Sequence, residues 1–384
     1  MSNKVGIIGT GMTDFGEHWE RGLRDLGAES GAKALKDAHI PGKEVEALYI
    51  GNMSAGKFVG QEHVAALTAD QCGLNPVAAT RVEAACASGS AAFRNAYLAI
   101  KSGEYDVVVA GGAEKMTDLS NQQVTSTLVG AGDEETEGFN GLTFPGLFAL
   151  MAKRYMHKFG LTREDLSKIP VKNHKFGKNN PHAQYRNEIS EGLVEKSPMI
   201  ADPLRLFDCA PISDGASAVV LASEDFVKQN GFDPVWVRSS TQASDTLALH
   251  DRASTTKMES VIEASRRAYK EAGVQPKDLD VAEVHDCFSI AEVVAYESLG
   301  FVEEGKAKEF IKEGENDIGG SIPVNTDGGL KVGHPVGATG VKQIIEITNQ
   351  IRGNAYNQVP DAEVGLTQNI GGSGATALVH ILSR

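Results

Sequence analysis

Lys33-Ala34-Leu35-Lys36-Asp37-Ala38 is followed by Lys43-Glu44-Val45-Glu46-Ala47, and a closely similar run returns later in the chain. The second copy reads Arg267-Ala268-Tyr269-Lys270-Glu271-Ala272 and then Lys277-Asp278-Leu279-Asp280-Val281, with the same spacing and no gap. Each copy predicts a helix, a short linker and a strand. Chance accounts easily for one matching helix but poorly for all three parts together. The repeat therefore predicts a chain built from two duplicated halves.

Short apolar strands alternate with helical stretches in both halves, which is typical of α/β proteins. In the first half we predict strands at Lys4–Gly9, Ala47–Ile50 and Tyr105–Ala110, and helices at Leu23–His39 and Ser88–Lys101. A second pass of the pattern begins near Pro234. Residues 212–220 predict a turn and a strand that return to the first half.

Each half also contains a helix start rich in small residues, followed by a strand and a glycine pair. In the first half this start carries Cys86, and in the second it carries His334. If the halves are related by a pseudo-twofold axis, these two residues occupy corresponding helix starts. We therefore expect Cys86 and His334 to face one another.

Composition excludes several classes of function. The 384 residues include 37 Lys and Arg against 51 Asp and Glu, so the formal net charge is −14, which disfavours nucleic-acid binding. The four cysteines (72, 86, 209 and 287) form no CxxC pair, so we expect no metal site and no disulfide framework, and a reducing cytoplasm. We find no leader segment and no apolar run of about 18 residues, so we predict a soluble cytoplasmic protein without a membrane partner.

The alternating pattern breaks down between the halves, which divides the chain. We predict an N-terminal half at residues 1–117, continued by 203–231, an inserted loop domain at 118–202 and a C-terminal half at 232–384. The insertion contains a basic tract with Lys172, His174, Lys175 and Lys178. Such a tract is commonly a solvated face, and its functional interpretation is a site for the phosphates of a large cofactor.

Cys86 is the first candidate catalytic residue. It lies in Ala84-Ala85-Cys86-Ala87-Ser88-Gly89, directly before a predicted helix. Unpaired N–H groups and the helix dipole at that end favour a thiolate, although a buried cysteine that merely packs the helix start is the alternative.

Three other segments follow strands or begin helices, where open α/β sheets build their sites. They contain His285 and Cys287, His334, and Gly371. A thiolate attacks an acyl carbonyl, an imidazole takes the thiol proton, and backbone N–H groups stabilise the oxyanion. A second thiol can act as an acid or base. Taken singly, these residues have structural alternatives, which are a satisfied core histidine at His285, a small apolar side chain at Cys287 and a turn at Gly371. Taken together, two cysteines with two histidines support acyl transfer through a thioester.

The order of these segments resembles the thiolase superfamily over nearly the whole chain. The motifs that carry the resemblance are Cys86, His285-Asp286-Cys287-Phe288, Gly333-His334-Pro335 with Gly337 to Gly340, Ala110 to Met116, and Lys172-Asn173-His174. The His-Asp-Cys-Phe segment points to the sterol-carrier-protein-type thiolases and their archaeal acetyl-CoA acetyltransferase relatives. The resemblance implies a thiolase fold, in which duplicated halves form a five-layered α-β-α-β-α sandwich with an inserted loop domain that grips CoA.

The resemblance also implies a role for each site residue. Cys86 resembles the acylated nucleophile, and His334 the residue that activates it and contributes to the first oxyanion hole. His285 would donate to the thioester oxygen there, and the amides of Cys86 and Gly371 would form a second hole. Many thiolases have their acid/base cysteine where this chain has Asn369, so Cys287 is the natural substitute.

The implied reaction is condensation of two acetyl-CoA to acetoacetyl-CoA and CoA, or its reverse, with CoA thioesters as substrates and no prosthetic group. Implied partners are a homodimer or homotetramer, and a complex with HMG-CoA synthase and a small OB-fold zinc-ribbon protein in the mevalonate route to isoprenoids. The alternatives are a ketoacyl-synthase-like condensing enzyme and a non-catalytic protein that binds CoA or a partner. A nicotinamide dehydrogenase is disfavoured, because Gly9-Thr10-Gly11 lacks the next glycine and has Asp14 instead.

Overall fold

The computed structural model describes residues 4–384. Its strands are β1 (Val5–Met12), β2 (Ala47–Gly51), β3 (Ala78–Val82), β4 (Val107–Glu114), β5 (Met199–Ala201), β6 (Leu204–Arg205), β7 (Gly215–Ser223), β8 (Val235–Ser244), β9 (Val281–Glu283), β10 (Val364–Gly371) and β11 (Thr376–Ser383). Its helices are α1 (Leu23–Asp37), α2 (Ala55–Phe58), α3 (Val64–Gln71), α4 (Ser88–Lys101), α5 (Asn121–Val129), α6 (Phe144–Phe159), α7 (Arg163–Gly177), α8 (Glu191–Lys196), α9 (Glu224–Asn230), α10 (Glu259–Ala272), α11 (Ser289–Ser298), α12 (Ala307–Lys312) and α13 (Val336–Arg352).

The predicted duplication is present in the strand order. The main sheet runs β3-β2-β4-β7-β1-β8-β11-β10-β9. In the first half β7 is antiparallel to both β1 and β4, and β2 is parallel to β4. In the second half β11 is antiparallel to β8 and β10, and β9 is parallel to β10. The halves join where β1 and β8 pair at Gly6–Trp236 and Ile7–Val235.

Side chains on alternate faces of the strands create the layers. Val107 and Val109 of β4 share a core with α1, whereas Val108 shares one with the central helices α4 and α13. On the other side, α10 packs on β8 and β11. The strands of each half form one β layer. One helix layer lies outside each half, and the pair α4 and α13 lies between the halves, so the fold is the five-layered α-β-α-β-α sandwich.

Glycines allow close approach between neighbouring layers. A Cβ at Gly9 would lie 2.3 Å from the carbonyl oxygen of Ala34 in α1, and one at Gly11 would lie 2.4 Å from that of Ser30. The glycines of Gly9-Thr10-Gly11 therefore allow α1 to pack closely on β1. Their presence is explained by this packing and gives no support to a dinucleotide-binding site.

The segment between the halves is mostly helical and shares a core with the C-terminal half. Leu147 and Tyr155 of α6 and Ile169 of α7 belong to the same buried cluster as Ile290 and Val294 of α11. The predicted boundaries of the insertion, 118 and 202, stay predictions. The returning strand predicted at residues 212–220 is β7, which pairs with both β1 and β4. Among residues 4–384, no helix is long and apolar enough to cross a membrane.

Candidate active site

Cys86 lies in a tight turn between β3 and α4. The backbone of Ala85 has φ of +52°, a left-handed conformation that a residue with a side chain adopts only at a cost in energy. Ser88 stabilises the turn, because its hydroxyl accepts from the Ala84 N–H at 2.9 Å and donates to the Ala85 carbonyl at 2.6 Å. The turn holds the Cys86 sulfur at the boundary between the two halves.

Three predicted site residues converge there. The sulfur of Cys86 and ring nitrogens of His285 and His334 all lie within 4.8 Å of one another. His285 lies two residues after the end of β9 and His334 lies two residues before α13, and their ring centroids are 5.2 Å apart at 84°. Cys86 and His334 therefore face one another, as the repeat predicts. A thiol and two imidazoles are also zinc ligands, and within residues 4–384 these three residues form the group whose ligand atoms lie close enough together to hold a metal ion. The expectation of no metal site stays a prediction.

The tautomer of His334 follows from its contact with Thr339. Nδ1 of His334 lies 2.7 Å from the Thr339 hydroxyl oxygen, which also lies 3.0 Å from the Pro335 carbonyl oxygen. We assign the hydroxyl proton to the Pro335 carbonyl, because that oxygen can only accept. The hydroxyl oxygen can then only accept from Nδ1–H. Nε2 of His334 therefore carries a free lone pair and can act as a general base toward Cys86.

His285 has the opposite tautomer. Its Nδ1 lies 2.7 Å from the side-chain amide nitrogen of Asn369, which can only donate. The proton is therefore on Nε2, which is buried and meets no hydrogen-bond partner in the described part of the chain. An unpartnered buried N–H that points into a site is suited to a substrate oxyanion.

The electrostatics of the free site favour neutral groups. Burial raises the pKa of the Cys86 thiol to about 12, although the amides of Gly372 and of Cys86 itself act in the opposite direction. Burial, with repulsion from Lys331 and Lys342, lowers the pKa of His334 to about 3. The prediction of a thiolate at the helix start is therefore wrong for the free protein, because desolvation outweighs the helix terminus. Attack requires proton transfer to His334.

Cys287 and Gly371 complete the set of predicted residues. Cys287 is buried, and burial together with the nearby Cys86 raises the pKa of its thiol well above the usual value, while Lys331 opposes the shift. Gly371 lies against the Cys86 turn, since a Cβ there would lie 2.4 Å from the Ala84 carbonyl oxygen. Donation by the Gly371 amide to an acyl oxygen stays a prediction.

Comparison with known proteins agrees with this site. Residues 5–225 match the family described as thiolase, N-terminal domain, and residues 241–384 match the thiolase C-terminal domain-like family. The chain belongs to the thiolase family. It is 49% identical to the acetyl-CoA acetyltransferase of Methanothermobacter thermautotrophicus over 99% of both chains.

Two further relatives show the breadth of the family. Sterol carrier protein 2 of Bos taurus is 37% identical over 98% of this chain and 72% of the bovine protein. Among solved structures, the Ltp2-ChsH2(DUF35) aldolase is similar with a TM-score of 0.86 and 27% identity, over 99% of this chain and 97% of that one. The thiolase fold and the predicted family are therefore confirmed.

The basic tract of this thiolase lies in and just after α7. Lys172 and His174 are buried, and the Lys172 ammonium donates to Glu292 at 2.6 Å. Lys175 and Lys178 are more exposed and pair with Asp317 and Glu188, both at 2.8 Å. CoA binding by this tract stays a prediction for its two exposed lysines, because Lys172 and His174 are enclosed by the protein.

Sequence reasoning missed the roles of Thr339 and Asn369 in this thiolase. Thr339 was visible as the fifth residue after His334, one turn into α13, where a side chain reaches back to the helix start. Asn369 was visible as a departure from other thiolases. Its contact with His285 joins positions far apart in the chain, so no local pattern indicates it.

Proposed function

We propose that the chain is an acetyl-CoA C-acetyltransferase that condenses two acetyl-CoA to acetoacetyl-CoA and CoA, or runs the reverse thiolysis. The observation that carries the proposal is the meeting of Cys86 with a basic Nε2 of His334 and an unpartnered Nε2–H of His285. The archaeal relatives named acetyl-CoA acetyltransferase, at 49% and 47% identity, support acetyl-CoA as the substrate.

In the first half-reaction, Cys86 Sγ attacks the thioester carbonyl while its proton passes to Nε2 of His334. The oxyanion forms beside the donors around the site, including His285 Nε2–H. The bond to CoA sulfur then breaks, which leaves acetyl-Cys86. The departing CoA thiolate takes a proton from Cys287, so CoA leaves as the thiol and Cys287 becomes a thiolate.

In the second half-reaction, the Cys287 thiolate removes an α-proton from a second acetyl-CoA. The enolate carbon attacks acetyl-Cys86, and the new carbon–carbon bond forms as the bond to Cys86 sulfur breaks. The Cys86 thiolate recovers its proton from His334, so all residues return to their starting protonation states. Lys331, which lowers the pKa of Cys287, favours the thiolate that this step needs.

The alternative functions need fewer of these groups. A decarboxylating ketoacyl synthase generates its carbanion by loss of CO₂, so it does not require Cys287 as a base. A protein that only binds CoA requires neither the tautomer of His334 nor a buried thiol beside it.

We also propose a homodimer or homotetramer. β3 is an edge strand of the sheet and leads directly into the Cys86 turn. Exposed strand edges readily pair with a second strand, so a copy of this chain is a suitable partner. The oligomer is tested by light scattering, with Thr80→Pro in β3 as the disrupting variant.

The proposal extends to the mevalonate route to isoprenoids in the cytoplasm, where HMG-CoA synthase would consume acetoacetyl-CoA. A small OB-fold zinc-ribbon protein would join the two enzymes. Support for such an assembly is the structural likeness to the Ltp2-ChsH2(DUF35) aldolase, whose name includes a DUF35 component. Co-purification of the three proteins tests the complex.

The activity is tested by incubating the protein with acetoacetyl-CoA and CoA and following loss of the enolate absorbance. The account predicts consumption of acetoacetyl-CoA that depends on CoA and is lost in Cys86→Ala. Binding of CoA without consumption of any acyl chain length would instead support the non-catalytic alternative.

A further inference from the structure

We propose that Lys172 and Asn173 are positioning residues, which hold the His285–Cys287 turn through Asp286 and Glu292 so that the Cys287 thiol reaches the substrate carbon. The inference rests on the proposed function, because Cys287 must exchange protons there. Lys172 and Asn173 thus support proton transfer by Cys287 without taking part in it themselves. Lys172 is then no longer a candidate for binding the phosphates of CoA.

The first contact is between Asn173 and the middle residue of the turn. The side-chain amide of Asn173 donates to Asp286 Oδ2 at 2.8 Å. The N–H of Leu330 donates to Oδ1 of the same carboxylate at 2.7 Å, and Lys331 donates to the Asp286 carbonyl at 2.6 Å. Asp286 is therefore held at three atoms, and it separates His285 from Cys287 in the chain.

The second contact is between Lys172 and the helix that follows the turn. The Lys172 ammonium donates to Glu292 Oε1 and to the Val324 carbonyl, both at 2.6 Å. Glu292 lies in the first turn of α11, which begins two residues after Cys287. Two consecutive residues of α7 therefore hold both the catalytic turn and the start of the next helix.

Asn173 also joins the two contacts into one network. Its amide donates to Glu292 Oε2 at 2.9 Å as well as to Asp286, and Asn325 donates to the same Glu292 oxygen at 2.9 Å. Both carboxylates are fully buried and Lys172 is 7% exposed. Buried charges with several short bonds tolerate little movement, because losing one partner leaves an uncompensated charge.

The network has a specific consequence for catalysis. Cys287 has its own carbonyl held by the Ala210 N–H at 2.8 Å, so the backbone of the turn is fastened on both sides of the sulfur. Cys86 and His334 belong to other segments, and in the described part of the chain the hydrogen bonds of His334 go to Ser213 and Thr339 rather than to α7.

His285 has two anchors outside the network, because its backbone N–H donates to Gln368 Oε1 at 2.9 Å and its ring contacts the Asn369 amide at 2.7 Å. Loss of the network should therefore displace Cys287 while His285 keeps its place beside Cys86.

The test compares Lys172→Met and Asn173→Leu with Lys168→Met, a control in the same helix that removes the partly exposed ion pair between Lys168 and Glu191. The readouts are kcat and KM for CoA in thiolysis of acetoacetyl-CoA, and acetylation of Cys86 by acetyl-CoA. We expect kcat to fall about 10–100-fold in both test variants, since small misplacement of a reacting group costs that much. KM for CoA and Cys86 acetylation should stay within about threefold, and Lys168→Met should leave kcat unchanged.

A rescue variant separates positioning from general loss of structure. Lys172→Met/Glu292→Gln removes both charges, so it should recover part of the kcat lost in Lys172→Met. If Lys172→Met does not fold, Asn173→Leu decides, because it removes no charge.

Three outcomes would overturn the inference. The first is a KM for CoA raised roughly tenfold with kcat intact, which indicates phosphate binding. The second is unchanged kinetics in both test variants. The third is equal loss of Cys86 acetylation and of turnover in folded variants. If the unsubstituted protein shows no thiolysis, the proposed function itself fails. Unaffected variants of an active protein overturn the positioning role alone.

Discussion

His334 Nδ1 lies 2.7 Å from the hydroxyl oxygen of Thr339, and this contact determines which nitrogen of the ring faces Cys86. The Thr339 proton is directed to the Pro335 carbonyl, so Nδ1 keeps its hydrogen and Nε2 is left basic. Both residues belong to the short segment at the start of α13. Thr339, one turn into α13, thus keeps Nε2 of His334 unprotonated, so that it can take the proton of the Cys86 thiol.

Thr339→Val should lower kcat about 10–100-fold, because it removes the acceptor that holds the His334 tautomer without changing the side-chain shape. KM should change little, since Thr339 does not reach the substrate site. Steady-state thiolysis measures both parameters. Thr339→Ser keeps the hydroxyl and serves as the control. Equal activity in the valine and serine variants would contradict the tautomer argument.

Cys287→Ala should separate the two half-reactions. Acetylation of Cys86 by acetyl-CoA should be largely spared, because a CoA thiolate is a good leaving group and leaves without a proton from Cys287. Condensation should fall about 100-fold or more, because no group remains to take the α-proton. Both are measured with labelled acetyl-CoA. Condensation near the level of the unsubstituted protein would refute the assigned role of Cys287.

Gly340→Ala should destabilise the protein by about 1–3 kcal/mol and also lower activity. A Cβ at Gly340 would lie 2.4 Å from the Ser90 nitrogen and 2.5 Å from Oδ1 of Asn369, the residue that orients His285. Gly192→Ala is the control, because a Cβ at this exposed position in α8 meets only Ser190 Oγ at 3.9 Å. It should be neutral or slightly stabilising. Urea unfolding measures the free energy of unfolding of both variants. Similar changes in Gly340→Ala and Gly192→Ala would argue against tight packing of α13.

His380 should make the fold sensitive to acid. Burial, with a smaller contribution from Arg94, lowers the pKa of His380 from 6.5 to about 3. The unfolded chain therefore binds more protons than the folded one between these values, so stability is complete above pH 6.5 and is lost as the pH falls toward 3. At about pH 5 the loss from this residue is about 2 kcal/mol. Urea unfolding of His380→Gln at about pH 7.5 and about pH 5 should show a smaller drop than in the unsubstituted protein, and an equal drop would contradict the shift.

Repetition and local pattern predicted an α/β protein with duplicated halves, whereas the five-layered arrangement was predicted from the resemblance to thiolases. The helix predicted at Ser88–Lys101 has those bounds, and the repeat placed Cys86 and His334 at corresponding helix starts. Strand ends were less predictable, because partners determine them. β1 continues past Gly9 to Met12 because Met12 pairs with Ser217 of β7, which is distant in the chain.

The site was predictable in its residue types but not in its electrostatics. Whether Cys86 is a thiolate depends on how completely the two halves enclose it. Its position at a helix start alone predicts a lowered pKa of the thiol, whereas burial raises that pKa. Likewise, the charge of Lys172 suggests an anion from outside, whereas its partner is Glu292, 120 residues away in the chain. Contacts of this kind arise from packing between elements and leave no periodic trace in the sequence.

The central claim is that Cys86 carries the acyl group between the two substrates. Its most direct test is mass spectrometry of peptides after brief exposure of the protein to acetyl-CoA and acid quenching. We expect an acetyl group on the peptide that contains Cys86, its removal when CoA is added, and its absence in Cys86→Ala. An acetyl group on another residue that CoA removes equally fast, or turnover without acetylation of Cys86, would contradict the account.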